Sequence, residues 1–187
     1  MADRVSVVLQ HIRESDSQPM LLAIDGRCAA GKTTLAAGLQ AELDCNVIHM
    51  DHFFLQPAQR TKERLQEPGG NVDYERFLEE VMLPLNRGQS FWYQIFDCKK
   101  LELSSAVRVE PKAVTIVEGS YSCHPALWDF YAFRVFLDVE AKEQLRRIRR
   151  RNGEQAEDRF RDCWIPLEER YFAAYRIQER CDLTFID

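Results

Sequence analysis

The sequence lacks two kinds of feature that would place the protein outside the cell or in a membrane. Its six cysteines form no Cys-x-x-Cys pair and no zinc-ligand spacing, so free thiols are predicted in place of a metal site or a disulfide framework. No apolar run is long enough to span a bilayer, and the first residues contain no apolar signal core. We therefore expect a cytoplasmic protein with no membrane partner.

The sequence also lacks an excess of basic residues. It has 25 Lys and Arg against 30 Asp and Glu, a net charge of −5, so nucleic acid is not an expected partner. The 187 residues fit a single domain, since domains usually have about 100–200 residues. We expect one domain over residues 1–187, with residues 1–18 forming an N-terminal helix that ends at Gln18-Pro19. A homo-oligomer is compatible with this composition.

Short apolar runs alternate with helical patterns along the chain, which is typical of a mostly parallel sheet covered by helices on both faces. The predicted strands are 20–24, 46–50, 113–117, 133–137 and 183–186. The predicted helices are 4–15, 32–43, 73–86, 140–151 and 164–180. Between them we expect a mobile loop over 55–72, a hairpin or a pair of short strands over 91–103, and a polar connection over 152–162.

Four predicted strands end at carboxylates, namely Asp25, Asp51, Glu118 and Asp138. Because the carboxyl ends of parallel strands meet at one edge of a sheet, where ligands bind, these side chains should share a rim.

The most specific motif follows the first strand. Gly26-Arg27-Cys28-Ala29-Ala30-Gly31-Lys32-Thr33 matches the phosphate-loop pattern G-x-x-x-x-G-K-[ST], and Thr34 continues into a predicted helix. Such a loop turns its backbone amides toward the phosphates of a nucleotide, which Lys32 would also contact, while the Thr33 hydroxyl ligates Mg²⁺. The sequence therefore predicts ATP and Mg²⁺ as cofactors. It contains neither the N-K-x-D motif of GTPases nor the L-S-G-G-Q motif of transporter ATPases.

Three carboxylates are candidates for the acceptor side of the site. Asp51 can face the terminal phosphate and accept the proton of an attacking hydroxyl or hold a metal-bound water; alternatively it only ends its strand and caps the residues that follow. Asp73 can bind sugar hydroxyls or cap the helix that follows. Glu118 can hold a metal-bound water or point to solvent.

Five arginines crowd into residues 146–151. Residues three and four apart share a helix face, so Arg147, Arg150 and Arg151 can point together. We expect residues 146–162 to form a lid in which Arg147 and Arg150 stabilise the charge of the transferred phosphate, with Arg159 and Arg161 closing over the nucleotide. A solvated basic face and an RNA contact are the alternatives.

These segments together resemble the uridine kinase family of phosphate-loop nucleoside kinases, with phosphoribulokinase and pantothenate kinase as more distant relatives. The resemblance rests on 26–34, Asp51–Phe54, Asn71–Asp73, 117–119 and 136–138 leading into the arginines. It implies a three-layer P-loop fold, a general base at Asp51, ribose binding at Asp73, and phosphate-binding arginines at Arg147 and Arg150. Thr33 and Glu118 would hold the metal.

Two positions depart from the family pattern. Phe54 stands where the family usually has Tyr, and a family His that helps to read the pyrimidine is replaced near Cys98. Tyr93 would keep a stacking role.

Three hypotheses follow from the sequence. The first is an ATP-dependent kinase whose acceptor is the hydroxyl of a small molecule, such as the nucleoside uridine. The second is a kinase of a non-nucleoside alcohol, such as a sugar or a pantothenate-like compound. The third is a regulatory or RNA-associated protein that hydrolyses ATP slowly.

Overall fold

A computed structural model of the protein describes residues 3–17 and 19–187. Its centre is a sheet of five parallel strands in the order β2-β5-β1-β6-β7. An antiparallel hairpin, β3-β4, stands apart from this sheet. The strands are β1 (Met20–Gly26), β2 (Cys45–His49), β3 (Phe91–Asp97), β4 (Glu102–Val109), β5 (Val114–Glu118), β6 (Phe133–Asp138) and β7 (Leu183–Ile186).

Helices cover both faces of the sheet. They are α1 (Arg4–Glu14), α2 (Lys32–Glu42), α3 (Lys62–Gln66), α4 (Tyr74–Phe77), α5 (Leu83–Asn86), α6 (Ala141–Asn152), α7 (Glu154–Arg159), α8 (Ile165–Tyr175) and α9 (Ile177–Arg180). π-helical turns join α4 to α5 (Leu78–Met82) and α7 to α8 (Phe160–Trp164). Of these helices, none is long and apolar enough to cross a membrane.

Alternate side chains of the central strands enter two separate cores, which is why the strands read as continuous apolar runs. Leu22 and Ile24 of β1 pack with α1 and α2 on one face. Ala23 of β1 and Phe136 of β6 lie in the other core, together with Tyr171 of α8. The predicted three-layer arrangement is therefore present.

The predicted loop over 55–72 contains more structure than expected. A 3-10 turn (Pro57–Gln59) precedes α3, and Arg64 ties the segment together. Its guanidinium donates to the carbonyls of Gly70 and Val72 and to both carboxylate oxygens of Glu75. The sequence predicted a mobile loop over this whole segment, whereas it contains a 3-10 turn and α3, which these local hydrogen bonds of Arg64 join to the residues that follow.

The expected polar connection over 152–162 was also wrong. Only Gly153, with φ of 86°, interrupts the chain between α6 and the helical run 154–175. The predicted helix over 164–180 is divided at Arg176, whose left-handed φ of 52° separates α8 from α9. The predicted N-terminal helix ends at Glu14, and its expected end at Gln18 lies outside the described residues.

Candidate active site

The phosphate loop leaves β1 at Gly26 and enters α2 at Lys32. Gly26 has φ of 130°, and a Cβ there would lie 2.1 Å from the carbonyl oxygen of Leu137, so only glycine fits. Gly31 has φ of 99° and precedes the first helical residue. The backbone therefore curls as the motif predicts and presents the amino end of an 11-residue helix to the site.

Lys32 is largely buried in this loop, with 8% of its surface exposed. Its ammonium donates to the carbonyls of Gly26 (2.7 Å) and Arg27 (2.9 Å) and to Ser120 Oγ (3.3 Å). These contacts fix the charge inside the loop.

Glu118, at the end of β5, connects three elements. The Thr33 hydroxyl donates to its carboxylate at 3.1 and 3.2 Å, and His49 Nδ1 lies 2.5 Å from Oε1. This hydrogen bond is the main cause of a raised pKa of His49, which burial partly offsets. Glu118 itself is 4% exposed. The contact between His49 and Glu118 was not predicted from the sequence, although His49 ends β2 and so lies at the same edge of the sheet as Glu118.

Asp51 lies in a 3-10 turn that directly follows β2. Its side chain is exposed, yet the protein atoms around the carboxylate reduce its hydration and so raise its pKa, while the nearby Lys32 ammonium acts in the opposite direction. Its outer edge faces the cavity described next. A carboxylate with a raised pKa and an open edge is suited to accept a proton.

A cavity of about 960 Å³ opens over the phosphate loop. Its lining includes most of the phosphate loop together with Asp51, Phe54 and Glu118. Asp51 and Glu118 therefore lie at the same edge of the sheet, as predicted from the ends of their strands. Asp25 and Asp138, the other two strand-end carboxylates, instead support the backbone. Asp25 accepts bonds from the amides of Tyr121 and Cys123. Asp138 pairs with Arg27.

Three of the five clustered arginines line the cavity, namely Arg147, Arg150 and Arg151. These are the three that helical spacing predicts on one face. Arg147 also donates to the carbonyl of Ala29 (3.3 Å) in the phosphate loop and to Glu143 (2.7 Å). Farther along, Arg159 lines the cavity, whereas Arg161 pairs with Asp158 and Asp162 at the surface.

Asp73 and Tyr93 do not belong to the set of described residues that line the cavity. The Asp73 carboxylate caps α4 by accepting from the amide of Arg76 (3.1 Å), and it also accepts from Gln59 (2.8 Å). Tyr93 is 3% exposed and packs on Phe53, with its hydroxyl 3.2 Å from His52 Nδ1. In this structure Asp73 serves as a helix cap and Tyr93 as a core residue, and neither side chain faces the cavity.

Glu168 of α8 reaches into the phosphate loop from far along the chain. Its carboxylate accepts from the amide of Cys28 (3.0 Å) and from the hydroxyl of Ser120 (2.5 Å), which in turn accepts from Lys32. Burial raises the pKa of Glu168, and Lys32 partly offsets this. This contact was not predicted, since Glu168 and Glu169 are adjacent carboxylates of α8 and no pattern shows which of them is buried.

The cavity also has a second part, of which the sequence predicted only Phe54 and the neighbourhood of Cys98. It is formed by segments after β2 and around the hairpin, and its lining includes Phe54, Arg60, Asn71, Cys98 and Leu101. Burial raises the pKa of the Cys98 thiol, and Arg60 partly lowers it. This part is where an acceptor would lie, since Asp51 borders it.

The residues present fit Mg²⁺ bound with a nucleotide. Mg²⁺ keeps several waters and is held through one or two protein oxygens together with phosphates, so a dense ligand cluster is not required. Thr33 and Glu118 place a hydroxyl and a carboxylate side by side beside the phosphate loop. Within the described ranges no group of three His, Cys, Asp or Glu side chains is arranged to hold a metal by itself.

Two curated proteins from Arabidopsis thaliana are similar to this chain. Uridine kinase-like protein 3 is 28% identical over 156 residues, which cover 78% of this chain and 33% of that protein. The chloroplastic uridine/cytidine kinase UKL1 is 28% identical over 157 residues, covering 78% and 32%. The chain thus spans about a third of the length of these relatives. No family model matches the chain.

Solved structures provide the second comparison. A Bacillus stearothermophilus protein provisionally assigned as a uridine kinase superimposes with a TM-score of 0.74 at 20% identity, covering 98% of this chain and 97% of that one. A Silicibacter protein provisionally assigned as a fructose transport system kinase superimposes with a TM-score of 0.73 at 24% identity, covering 98% of this chain and 100% of that one. The three-layer P-loop fold is therefore confirmed, as is the resemblance to uridine kinase-like proteins.

Proposed function

We propose that this protein is a phosphotransferase that moves the terminal phosphate of ATP to a hydroxyl group of a small molecule. The observation that carries the proposal is the shared cavity, which Lys32 and Thr33 of the phosphate loop line together with Asp51. A phosphate donor and an acceptor hydroxyl fit side by side in such a space. The names of the curated relatives, both uridine kinase-like, support the same reaction.

Each group has a role that its surroundings suit. The phosphate-loop amides and Lys32 hold the triphosphate, and Thr33 and Glu118 would hold Mg²⁺, which would supply further positive charge to the phosphates. Asp51 orients the acceptor hydroxyl and takes its proton. Arg147 and Arg150 stabilise the charge that spreads over the transferred phosphoryl group. Closure of the segment 146–162 would exclude water, which otherwise competes as acceptor.

Two classes of acceptor have support. The names of the relatives favour a nucleoside such as uridine, with Phe54, Asp73 and Tyr93 as binding residues. The site favours a non-nucleoside alcohol, because Tyr93 is buried away from the cavity and Cys98 offers a thiol where a pyrimidine-reading imidazole was expected. We also propose that the protein is cytoplasmic, that its partners are small molecules and that it forms a homo-oligomer.

ADP formation with Mg-ATP and a panel of nucleosides, sugars and vitamins tests the reaction. We expect one acceptor class to accelerate ADP release and to yield a phosphorylated product by mass spectrometry. ADP release that no acceptor accelerates, combined with salt-sensitive RNA binding, would instead support the regulatory hypothesis.

The variant Asp51→Asn tests the base. Loss of a positioned base should lower kcat by about 10²–10⁴-fold while Mg-ATP binding persists. Asp44→Asn is the matched control, because Asp44 is an exposed carboxylate paired with Lys112 outside the cavity. Near-normal turnover of Asp51→Asn would remove Asp51 as the base.

A further inference from the structure

Arg60 is a cation in the acceptor part of the cavity whose charge the fold leaves uncompensated. Its Nε donates to the carbonyl of Leu55 (2.9 Å), and its guanidinium lies 5.6 Å from the centre of the Phe96 ring. Among the residues that the structure describes, its two terminal nitrogens have no hydrogen-bond or ion-pair partner. The side chain is partly buried and lines the cavity.

Two arginines near Arg60 in sequence are engaged differently. The terminal nitrogens of Arg64 pair with Glu75 and bind the carbonyl of Val72, and those of Arg76 bind Glu80 and the carbonyl of His52. Both arginines hold the fold together and are absent from the cavity lining. Arg60 uses one nitrogen to fix its position and keeps the bidentate edge of the guanidinium available, which is the edge that binds carboxylate or phosphate.

Arg60 belongs to the acceptor part of the cavity. It follows Asp51 by nine residues and shares the wall with Cys98, whose thiol is close enough to Arg60 and Asp51 for both charges to influence its pKa. The phosphate loop, Lys32 and the arginines of α6 already supply positive charge for the donor.

We propose that Arg60 binds an anionic group, carboxylate or phosphate, on the acceptor, so that the acceptor is an anionic non-nucleoside alcohol. This inference rests on the proposed phosphotransferase function and identifies its substrate class. Uridine carries no anion at neutral pH and would leave the guanidinium without a partner, which is costly for a partly desolvated charge.

Kinetics with matched acceptor pairs test the substrate class. Each pair has a neutral and an anionic member, namely panthenol and pantothenate, glycerol and glycerate, ribose and ribose 5-phosphate; uridine is the neutral nucleoside. We expect anionic members to be preferred, and Arg60→Gln to lower their kcat/KM by about 10–100-fold, the range expected for a lost charge-assisted hydrogen bond. Arg60→Lys should recover part of the loss. Arg87→Gln is the control, because Arg87 is an exposed arginine outside the cavity lining.

A second measurement needs no acceptor. Iodoacetate is anionic and iodoacetamide is neutral, and both form the same S–C bond with a thiolate and release iodide. With the donor site filled by Mg-AMP-PNP, the ratio of their rates at Cys98, resolved by peptide mass spectrometry, should fall several-fold in Arg60→Gln. A change in the thiol pKa affects both reagents equally and cancels in the ratio. The exposed Cys163 provides the internal reference.

The outcomes separate this inference from the function on which it rests. Efficient phosphorylation of uridine or another neutral acceptor, unaffected by Arg60→Gln, would overturn the inference and retain the kinase. An effect of Arg60→Gln on the KM for ATP alone would assign Arg60 to the donor, and would also overturn it. An unchanged alkylation ratio overturns it even if no acceptor in the panel is phosphorylated. Failure of Mg-AMP-PNP to bind would refute the proposed function itself.

Discussion

At the scale of single residues, the hydrogen bond between His49 and Glu118 makes the site sensitive to pH. Because the pKa of His49 is raised in the folded protein, its ordinary value being 6.5, the bond contributes stability that is fully present below that value. The contribution is lost as the pH rises through the raised pKa, where the imidazole gives up its proton.

His49→Gln should therefore reduce the free energy of unfolding more at about pH 6 than at about pH 9. Urea denaturation of both proteins at the two pH values measures the difference. His11→Gln is the control, since His11 stacks on Phe133 and has no carboxylate partner among the described residues. An equal loss at both pH values for His49→Gln would show that the ion pair adds nothing.

Glu168 permits a second test at this scale. Glu168→Ala should lower the free energy of unfolding by about 1–3 kcal/mol, because it leaves the amide of Cys28 and the hydroxyl of Ser120 without an acceptor in a buried place. Glu168→Gln keeps an acceptor oxygen and should lose less. Thermal or urea unfolding distinguishes the two variants, and equal losses would indicate that the charge itself is what the loop requires.

Residues of the site differ in how far the sequence could predict them. Asp51 and Glu118 could be placed in the cavity because strand ends share one edge of the sheet. Glu168 and Arg60 could not, since a single charged side chain gives the same sequence pattern whether it points to solvent or into the site. Asp73 has the same pattern for a helix cap as for a ligand, and here the structure shows the cap.

At the scale of elements, two glycines shape the phosphate loop for different reasons. Gly26 combines φ of 130° with the backbone of Leu137 on the neighbouring β6, so a side chain would push β1 from β6. Gly31 has φ of 99°, yet a Cβ there meets nothing within 4 Å. A side chain at position 31 is therefore disfavoured only by the backbone conformation and not by a clash.

Gly26→Ala and Gly31→Ala should therefore differ in severity. The backbone strain alone costs of order 1–3 kcal/mol, which we expect for Gly31→Ala. Gly26→Ala adds a clash with backbone and should lose clearly more free energy of unfolding in urea denaturation. Similar losses in the two variants would mean that β6 can yield to the added methyl group.

The elements themselves were predictable where burial imposes a pattern. All five strands of the sheet were expected within about two residues of their observed ends, because both of their faces are covered. The helical run 154–164 was not predicted, because its exposed charged residues show little of the apolar periodicity that indicates a helix. Its π-helical turn places Phe160 and Trp164 in the cavity wall, which no sequence pattern indicates.

At the scale of the whole molecule, the cavity joins elements that are distant in sequence. The phosphate loop, the turn after β2, the hairpin and the helical run 154–175 all contribute lining residues. The phosphate-loop motif made the fold predictable, since it fixes a strand, a turn and a helix. The identity of the acceptor was not predictable, because it depends on side chains that these elements bring together only in the folded chain.

Because the cavity exists only in the folded chain, Mg-ATP should stabilise the whole protein by mass action. At about 100 times its dissociation constant a ligand adds about 2.7 kcal/mol, which for a chain of this size raises Tm by roughly 5–10 °C. Differential scanning fluorimetry with Mg-ATP measures the shift, and Mg²⁺ alone should not produce it. Lys32→Ala should abolish most of the shift, whereas Lys142→Ala, an exposed change on α6, should preserve it. A full shift in Lys32→Ala would mean that the nucleotide is held elsewhere than in the phosphate loop, because the Lys32 ammonium lies inside that loop.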